Sequence, residues 1–381
     1  SEVPDSTAPA GLAPMKALQI FAGPRALAHL RAHGLAPAHV RAIPAAAGGP
    51  KGLTLLPLDR FLFGEWLLQS VQPVDLIGAS IGAWRMAAAM LDQPAAALAA
   101  LEHAYIHQDY DVPPGRKAPT REHISERFAE GIHAMFGQRV QEVLGHPRYR
   151  LHVVTSRGRH ILHRDNRVRS PLGYAGAFFT NIASRKAMGA WLERAVFSSH
   201  LAAGTPLPFA ANDYRTRRYA LSPVNFAPVV QASCSIPFLL NAVHDIPGAP
   251  PGAYWDGGIT DYHLHLDYRL PPDRSDAASS VVLYPHFQRA VVPGWLDKSL
   301  KWRHRSTHFL DDVIVLAPKP EWVATLPNQK LPDRTDFARY GRDLAARVKA
   351  WDTAVAESQR LCDEFAAWVA GSEPAAVVEP L

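Results

Sequence analysis

Apolar side chains fall along this chain in short strand-like runs that trade places with helical spacings. His39 to Ala46 is a partly apolar strand candidate, and Val74 to Ala79 is a compact apolar one. Between them Leu55, Leu58, Leu62 and Trp66 keep helical spacing across Gly52 to Gln69, just after Pro50, a residue well tolerated in a first turn. Ala26 to His33 predicts a short helix ending at Gly34, and Ile81 to Leu91 an Ala/Met-rich one. Strand, loop, helix, strand, turn and helix in that order indicate an α/β fold with parallel strands. Farther on, Pro94 to Gln108 and Arg121 to Val143 predict helices, and Tyr149 to Thr155 a strand. Arg157 to Pro208 is less regular and is expected to form a cap or lid. Tyr214 to Leu221 predicts a strand, Pro228 to Ser235 a helix stopped before Pro237, and Ala253 to Trp255 a strand ending at Asp256-Gly257-Gly258. Val281 to Tyr284 and Val313 to Leu316 predict buried strands, and Thr335 to Val369 a long amphipathic helical segment. No internal repeat interrupts this pattern. The expected organisation is one domain over 15–381, with a motif core at 40–258 and C-terminal strands and helix at 279–370. The Pro/Ala/Ser-rich residues 1–14 form a disordered leader in this reading.

Composition narrows the class. The chain has 381 residues, 48% hydrophobic and 20% charged, which is ordinary for a globular protein. A formal charge of +5 suits an anionic membrane surface, nucleic acid or an acidic substrate equally well. Two cysteines, Cys234 and Cys362, supply neither a disulfide framework nor a zinc cluster and fit a reducing compartment. No apolar run approaches the ~20 residues of a membrane-spanning helix. Ser1 to Pro14 lacks the basic start and apolar segment of a secretory signal. Cytoplasmic residence is the expectation, with peripheral membrane contact allowed.

Two motifs carry chemistry. Gly78-Ala79-Ser80-Ile81-Gly82 fits G-x-S-x-G between an apolar strand and a helix, the context that exposes a nucleophilic serine at a sharp turn. Gly48-Gly49-Pro50-Lys51-Gly52 reads as a glycine-rich loop opening a helix, which presents backbone N–H groups to an anion. Pro50 has no N–H, so an oxyanion hole here draws on Gly48 and Gly49, with Lys51 as a further donor. A phosphate-binding P-loop is disfavoured because Thr54 does not directly follow Lys51. The base that activates Ser80 is open at this point. His286, then His263 and His265, are candidates for a Ser-His-Asp triad, whereas Asp256-Gly257-Gly258 sets an acidic residue at a strand end beside two glycines.

The ordered set Ala46-Ala47-Gly48-Gly49-Pro50-Lys51-Gly52, Gly78-Ala79-Ser80-Ile81-Gly82, Ala232-Ser233-Cys234-Ser235-Ile236-Pro237-Phe238 and Asp256-Gly257-Gly258 resembles the patatin family of lipid acyl hydrolases. The resemblance covers roughly Val40 to Gly258. It implies a three-layer α/β/α sandwich around a largely parallel sheet. It also implies a dyad of Ser80 as nucleophile and Asp256 as base with no catalytic histidine, an oxyanion loop at Gly48 and Gly49, and no metal or organic cofactor. Its substrates would be fatty-acyl esters of lipids, phospholipids foremost. One departure is Ala46-Ala47, where the family's loop commonly opens with an acidic residue; backbone donors survive that change. The rivals are an α/β-hydrolase esterase with a triad and a non-catalytic lipid- or membrane-binding protein on the same fold.

Basic residues cluster at Arg157, Arg159, Arg164, Arg167 and Arg169, at Arg215, Arg217 and Arg218, and at Lys298, Lys301, Arg303 and Arg305. They read either as solvated faces or as a surface for anionic headgroups. Nucleic acid is not an expected partner, since no recognition motif accompanies them. Leu53, Leu56, Phe61, Phe63, Trp84, Phe178 and Phe179 are acyl-channel candidates, with burial in the core as the alternative for most of them. Oligomeric state leaves no mark in the sequence.

Overall fold

A computed structural model describes residues 16–159, 162–165, 169–183, 187–201, 204, 206–270 and 281–381. The leader at 1–14 lies outside the described residues, as do Arg167 and the side chains of Arg169 and Phe179.

The strands are β1 Leu18–Ala22, β2 Val40–Ala45, β3 Val74–Ala79, β4 Tyr149–Gly158, β5 Leu192–Ser198, β6 Thr216–Ala220, β7 Val243–His244, β8 Ala253–Asp256, β9 Val281–Pro285, β10 Val313–Pro318 and β11 Glu379–Pro380. They form one sheet in the order β11-β1-β10-β9-β2-β3-β4-β5-β6, with β8 on β4 and β7 on β8. The five central strands β10, β9, β2, β3 and β4 run parallel, while β1, β5 and β8 join antiparallel. Central strands buried on both faces read as continuous apolar runs, which is why β3, β9 and β10 are so plain in the sequence.

Helices flank the sheet to give the three-layer α/β/α sandwich. In chain order the first nine are α1 Pro24–His33, α2 Leu56–Phe61, α3 Ile81–Ala89, α4 Pro94–Ile106, α5 Arg121–Phe136, α6 Val140–Leu144, α7 Arg169–Ala183, α8 Phe226–Ser233 and α9 Gly258–Asp261. The C-terminal part adds α10 Pro320–Val323, α11 Thr335–Tyr340, α12 Leu344–Glu357 and α13 Gln359–Ala370.

Four expectations need correction. The long helix expected over Thr335 to Val369 is α11, α12 and α13, broken at Gly341, whose φ is +53°, and at Ser358. The helix expected to Val143 stops at Phe136, and Gly137 marks the break before α6. Arg157 to Pro208 is not all cap or lid: β5 lies within it, fully buried and paired along seven residues of β4. The expected helix over Gly52 to Gln69 changes pitch along its length, with α2 flanked by 3₁₀ and π turns.

Candidate active site

The ends of three parallel strands carry the motifs, at the carboxyl edge where open α/β sheets bind ligands. The glycine loop follows β2, Ser80 follows β3, and His286 follows β9.

Strand register explains why two residues distant in sequence meet. Running up β4, β3 ends at Ala79 opposite Val154. Coming the other way along the same strand, β8 ends at Asp256 opposite Thr155. The two strands therefore stop head to head at neighbouring residues of β4, a separation of about 3.3 Å along the strand. The Ser80 hydroxyl lies close enough to the Asp256 carboxyl and the Cys234 thiol to favour the charged form of each. Its alignment is loose, however, for Asp256 Oδ2 has no fully formed hydrogen bond among the described residues. Such contacts are often long in unliganded sites and tighten with substrate.

The gap in the ladder is closed by Ser233, at the end of α8. Its hydroxyl donates to the Val154 carbonyl at 2.7 Å and accepts from the Ser80 N–H at 2.9 Å. One side chain thus satisfies both backbone groups that the termination of β3 leaves over. Ser80 itself has φ 57° and ψ −126°, a strained left-handed conformation for a residue with a Cβ. Close packing holds it there: a Cβ on Gly82 would lie 1.9 Å from the Ala45 carbonyl oxygen, and one on Gly78 would lie 2.4 Å from the Ala83 Cα.

The glycine loop seats against the same turn. Gly48 and Gly49 have φ of +140° and +58°, and an added Cβ on Gly52 would stand 3.2 Å from Ile81. Neither the Gly48 nor the Gly49 N–H donates a hydrogen bond among the described residues. The Lys51 N–H is turned inward and donates to the Gly48 carbonyl at 3.3 Å, which leaves the two glycines as the free donors. Gly258 completes the junction, since a Cβ there would come within 2.8 Å of the Ala47 methyl. Gly257 passes equally close to β4, where its Cβ would meet the Val154 oxygen at 2.1 Å.

Electrostatics single out Asp256. Burial lifts its carboxyl from 3.8 to about 6, opposed in decreasing order by the Arg334 charge, the Gly258 N–H, the Ser80 hydroxyl and the Lys298 charge. The Gly258 N–H donates to Oδ1 at 2.7 Å. Lys51, Lys298 and Arg334 converge on this mouth. Lys51 Nζ lies 5.5 Å from the centre of the Phe287 ring, and Lys298 Nζ lies 4.4 Å from that of Tyr262. Arg334 Nε stands 3.2 Å from where a Gly49 Cβ would be. Burial, then repulsion from Lys51 and Arg334, brings Lys298 down to about 8. Asp333, the carboxylate acting on Lys51, is bonded to Lys330 at 3.1 Å.

No histidine hydrogen-bonds to Ser80 or Asp256 among the described residues. His286 is buried behind Phe287, its Nε2 faces the Ala290 carbonyl at 3.1 Å, and burial drives its pKa down to about 3. His263 Nδ1 accepts from the Val292 N–H at 2.8 Å. His265 is bonded to the Val291 carbonyl and the Thr307 hydroxyl, each at 2.8 Å. His263 Nε2 and His286 Nδ1 have no hydrogen-bond partner among the described residues, and none of the three rings bonds to the candidate pair.

The remaining cations are largely spent inside the molecule. Arg157 and Arg215 share Glu193 at 2.9 and 2.8 Å, Arg164 pairs with Asp245 at 2.9 Å, and Arg303 with Asp297 at 2.7 Å. No cluster of three or more His, Cys, Asp or Glu among the described residues is arranged to hold a metal ion. No helix among them is long and apolar enough to cross a membrane.

Sequence reasoning missed the bridging role of Ser233, the Cys234 contact and Arg334, and it named Lys298 only as one member of a basic cluster. Ser233 and Cys234 at least stood inside a recognised motif; Arg334 had no local signal.

Residues 61–263, more than half of the chain, match the family model described as Patatin-like phospholipase. The match takes in Ser80 and Asp256 and begins after the glycine loop. No curated protein matches the chain.

Proposed function

The chain belongs to the patatin-like phospholipase family, whose members are in general lipid acyl hydrolases, and from that premise we propose that it cleaves fatty-acyl esters of phospholipids with a Ser80–Asp256 dyad. Asp256, ionised above about pH 6, accepts the Ser80 proton as Oγ attacks the ester carbonyl. The Gly48 and Gly49 N–H groups receive the developing oxyanion, where preorganised donors contribute most. The tetrahedral adduct expels the alcohol, to which Asp256 returns the proton. Water, deprotonated by the same carboxylate, then attacks the acyl-serine, and Asp256 returns that proton to the leaving Ser80 Oγ as the fatty acid is released.

The observation that carries this reading is the head-to-head ending of β3 and β8 on β4, which sets the Ser80 hydroxyl against a buried carboxyl beside two free amide donors. A carboxylate with an ordinary pKa of 3.8 is a weak base, and burial corrects that here by raising it to about 6. Lys51, Lys298 and Arg334 favour an ester whose alcohol carries a phosphate, because none of the three is in a salt bridge among the described residues. Contact with a bilayer surface accompanies that substrate class.

Fatty-acid release from mixed phosphatidylcholine and phosphatidylglycerol vesicles tests the proposal. Wild type should release fatty acid and react with a fluorophosphonate at Ser80, while S80A and D256N should do neither at a measurable rate. A folded wild type that resists the probe, or a D256N variant that keeps its turnover while H286A loses it, rejects the dyad.

A further inference from the structure

α4 and α5 leave an uncovered apolar groove that passes Tyr105, whose hydroxyl approaches the glycine loop. α4 packs on α2 and α3, whereas α5 packs on α8, so the two helices diverge. The cavity between them has a volume of about 780 Å³, within the range of ~300–1,000 Å³ typical of small-molecule sites. Its α4 wall is the exposed face Ala96, Ala100 and Ala104, one residue per turn. Its α5 wall is Phe128, Gly131 and Met135. Trp84 forms the floor, fixed by its indole N–H on the Met135 sulfur at 3.2 Å. The groove is narrow there: a methyl on Gly131 would already stand 3.2 Å from the Trp84 ring. Gln93, Asp109, Arg127 and Glu130 supply a polar rim.

Three links tie the groove to the chemistry. Trp84 is four residues after Ser80, one turn along the helix that the nucleophile caps. Tyr105, at one end of the groove, has its hydroxyl 3.5 Å from where a Gly49 Cβ would be. The same Tyr105 lies within electrostatic range of Cys234 and Arg334, both of which also act on the Ser80–Asp256 pair.

We propose that this groove holds the acyl chain of the scissile ester, with the carbonyl at Gly48 and Gly49 and the methyl end directed along α4 toward Ala96. The proposal rests on the acyl-hydrolase reading above and adds where the chain lies. The opposite end of the substrate faces Lys51, Lys298 and Arg334, so the site is polarised as an anionic amphiphile requires. An extended acyl chain is an occupant of fitting chemistry, because alanines, a glycine, Met135 and the Trp84 and Phe128 rings line the groove. Along α4 the slot runs from Tyr105 to Ala96, roughly 14 Å, the reach of about ten methylenes. Of the acyl-channel candidates read from the sequence whose side chains are described, only Trp84 lines this groove. Leu53, Leu56 and Phe63 are core residues instead.

Hydrolysis of p-nitrophenyl acetate, hexanoate, decanoate and palmitate by wild type, A100W and A99W tests the assignment. Position 100 lies midway along the slot, and Ala99 faces outward on the same helix, so the second variant controls for bulk on α4. Wild-type kcat/KM should climb by about fourfold per methylene until the slot is full. In A100W the advantage of decanoate over hexanoate should collapse from on the order of a hundredfold to near one, while A99W keeps the wild-type profile. Equal chain-length profiles in wild type and A100W overturn the proposal. If wild type hydrolyses no ester, the hydrolase reading fails, and the groove is then decided by binding alone. A terminally brominated undecanoate should quench tryptophan fluorescence in the wild type and A99W and not through the blocked slot of A100W. Identical quenching in all three, or none in the wild type, removes the acyl site.

Discussion

Replacing Asp256 with asparagine keeps its shape and removes its charge, which makes the consequence of burial measurable. The residue is 3% exposed, and burial raises its pKa from 3.8 to about 6 in spite of Arg334, the Gly258 N–H, Ser80 and Lys298. At 1.36 kcal/mol per pH unit, that displacement corresponds to about 3 kcal/mol. The sign follows from proton counts. Below the ordinary value the carboxyl is neutral folded or unfolded, and the residue has no electrostatic penalty. As pH rises toward 6 the unfolded chain ionises while the folded one holds its proton, so stability falls. Above 6 the fold carries a buried anion and the full ~3 kcal/mol has been lost. D256N never ionises. Its unfolding free energy in urea, relative to wild type, should therefore rise by about 2.5 kcal/mol between about pH 4 and pH 8. A difference between the two proteins that stays flat across that range would falsify the burial argument. Turnover provides a second reading, since wild-type kcat/KM should fall tenfold per pH unit below about 6.

Other variants probe the surrounding geometry. S80G and S80A both lack the nucleophile, but only glycine relieves the strained turn; after its own entropic cost, S80G should be about 1 kcal/mol more stable than S80A by chemical denaturation. Equal stability would deny the strain. S233A strands the Ser80 N–H and the Val154 carbonyl together, so it should lose about 2–4 kcal/mol in urea unfolding and lower kcat as well. A loss of only a few tenths would contradict the bridge. R334Q removes the largest charge opposing the burial of Asp256, so the acidic limb of the pH–rate profile should move above 6; an unmoved limb would separate Arg334 from the carboxylate.

The parallel core was legible because its strands are buried on both faces and nearly all apolar. β3 was read to the residue, and β9 and β10 within two. β5 escaped notice for the opposite reason. It carries Glu193 and Arg194, which a periodicity argument assigns to solvent, yet Glu193 is enclosed by Arg157 and Arg215, and Arg194 by Asp213 and Asp261. β1, five residues at a sheet flank, offers too short a run to stand out. At the candidate site, Ser80, Asp256 and the glycine loop announced themselves because each needs glycine where segments nearly touch. Arg334 and Lys298 come from loops whose chemistry is ordinary until the C-terminal third packs over the sheet edge. Leu53, Leu56 and Phe63 lie in the core, the alternative that the sequence already offered for most of the acyl-channel candidates.

The abutting ends of β3 and β8 have a consequence for how this protein tolerates change. The spacing of Ser80 and Asp256 is set by a shared ruler, β4, and not by the polypeptide that loops out between them. Insertions or deletions in that excursion, away from β4 and α8, should leave the reacting pair in place. Two fragments divided within it would be able to reassemble a working centre wherever each still docks on that one strand.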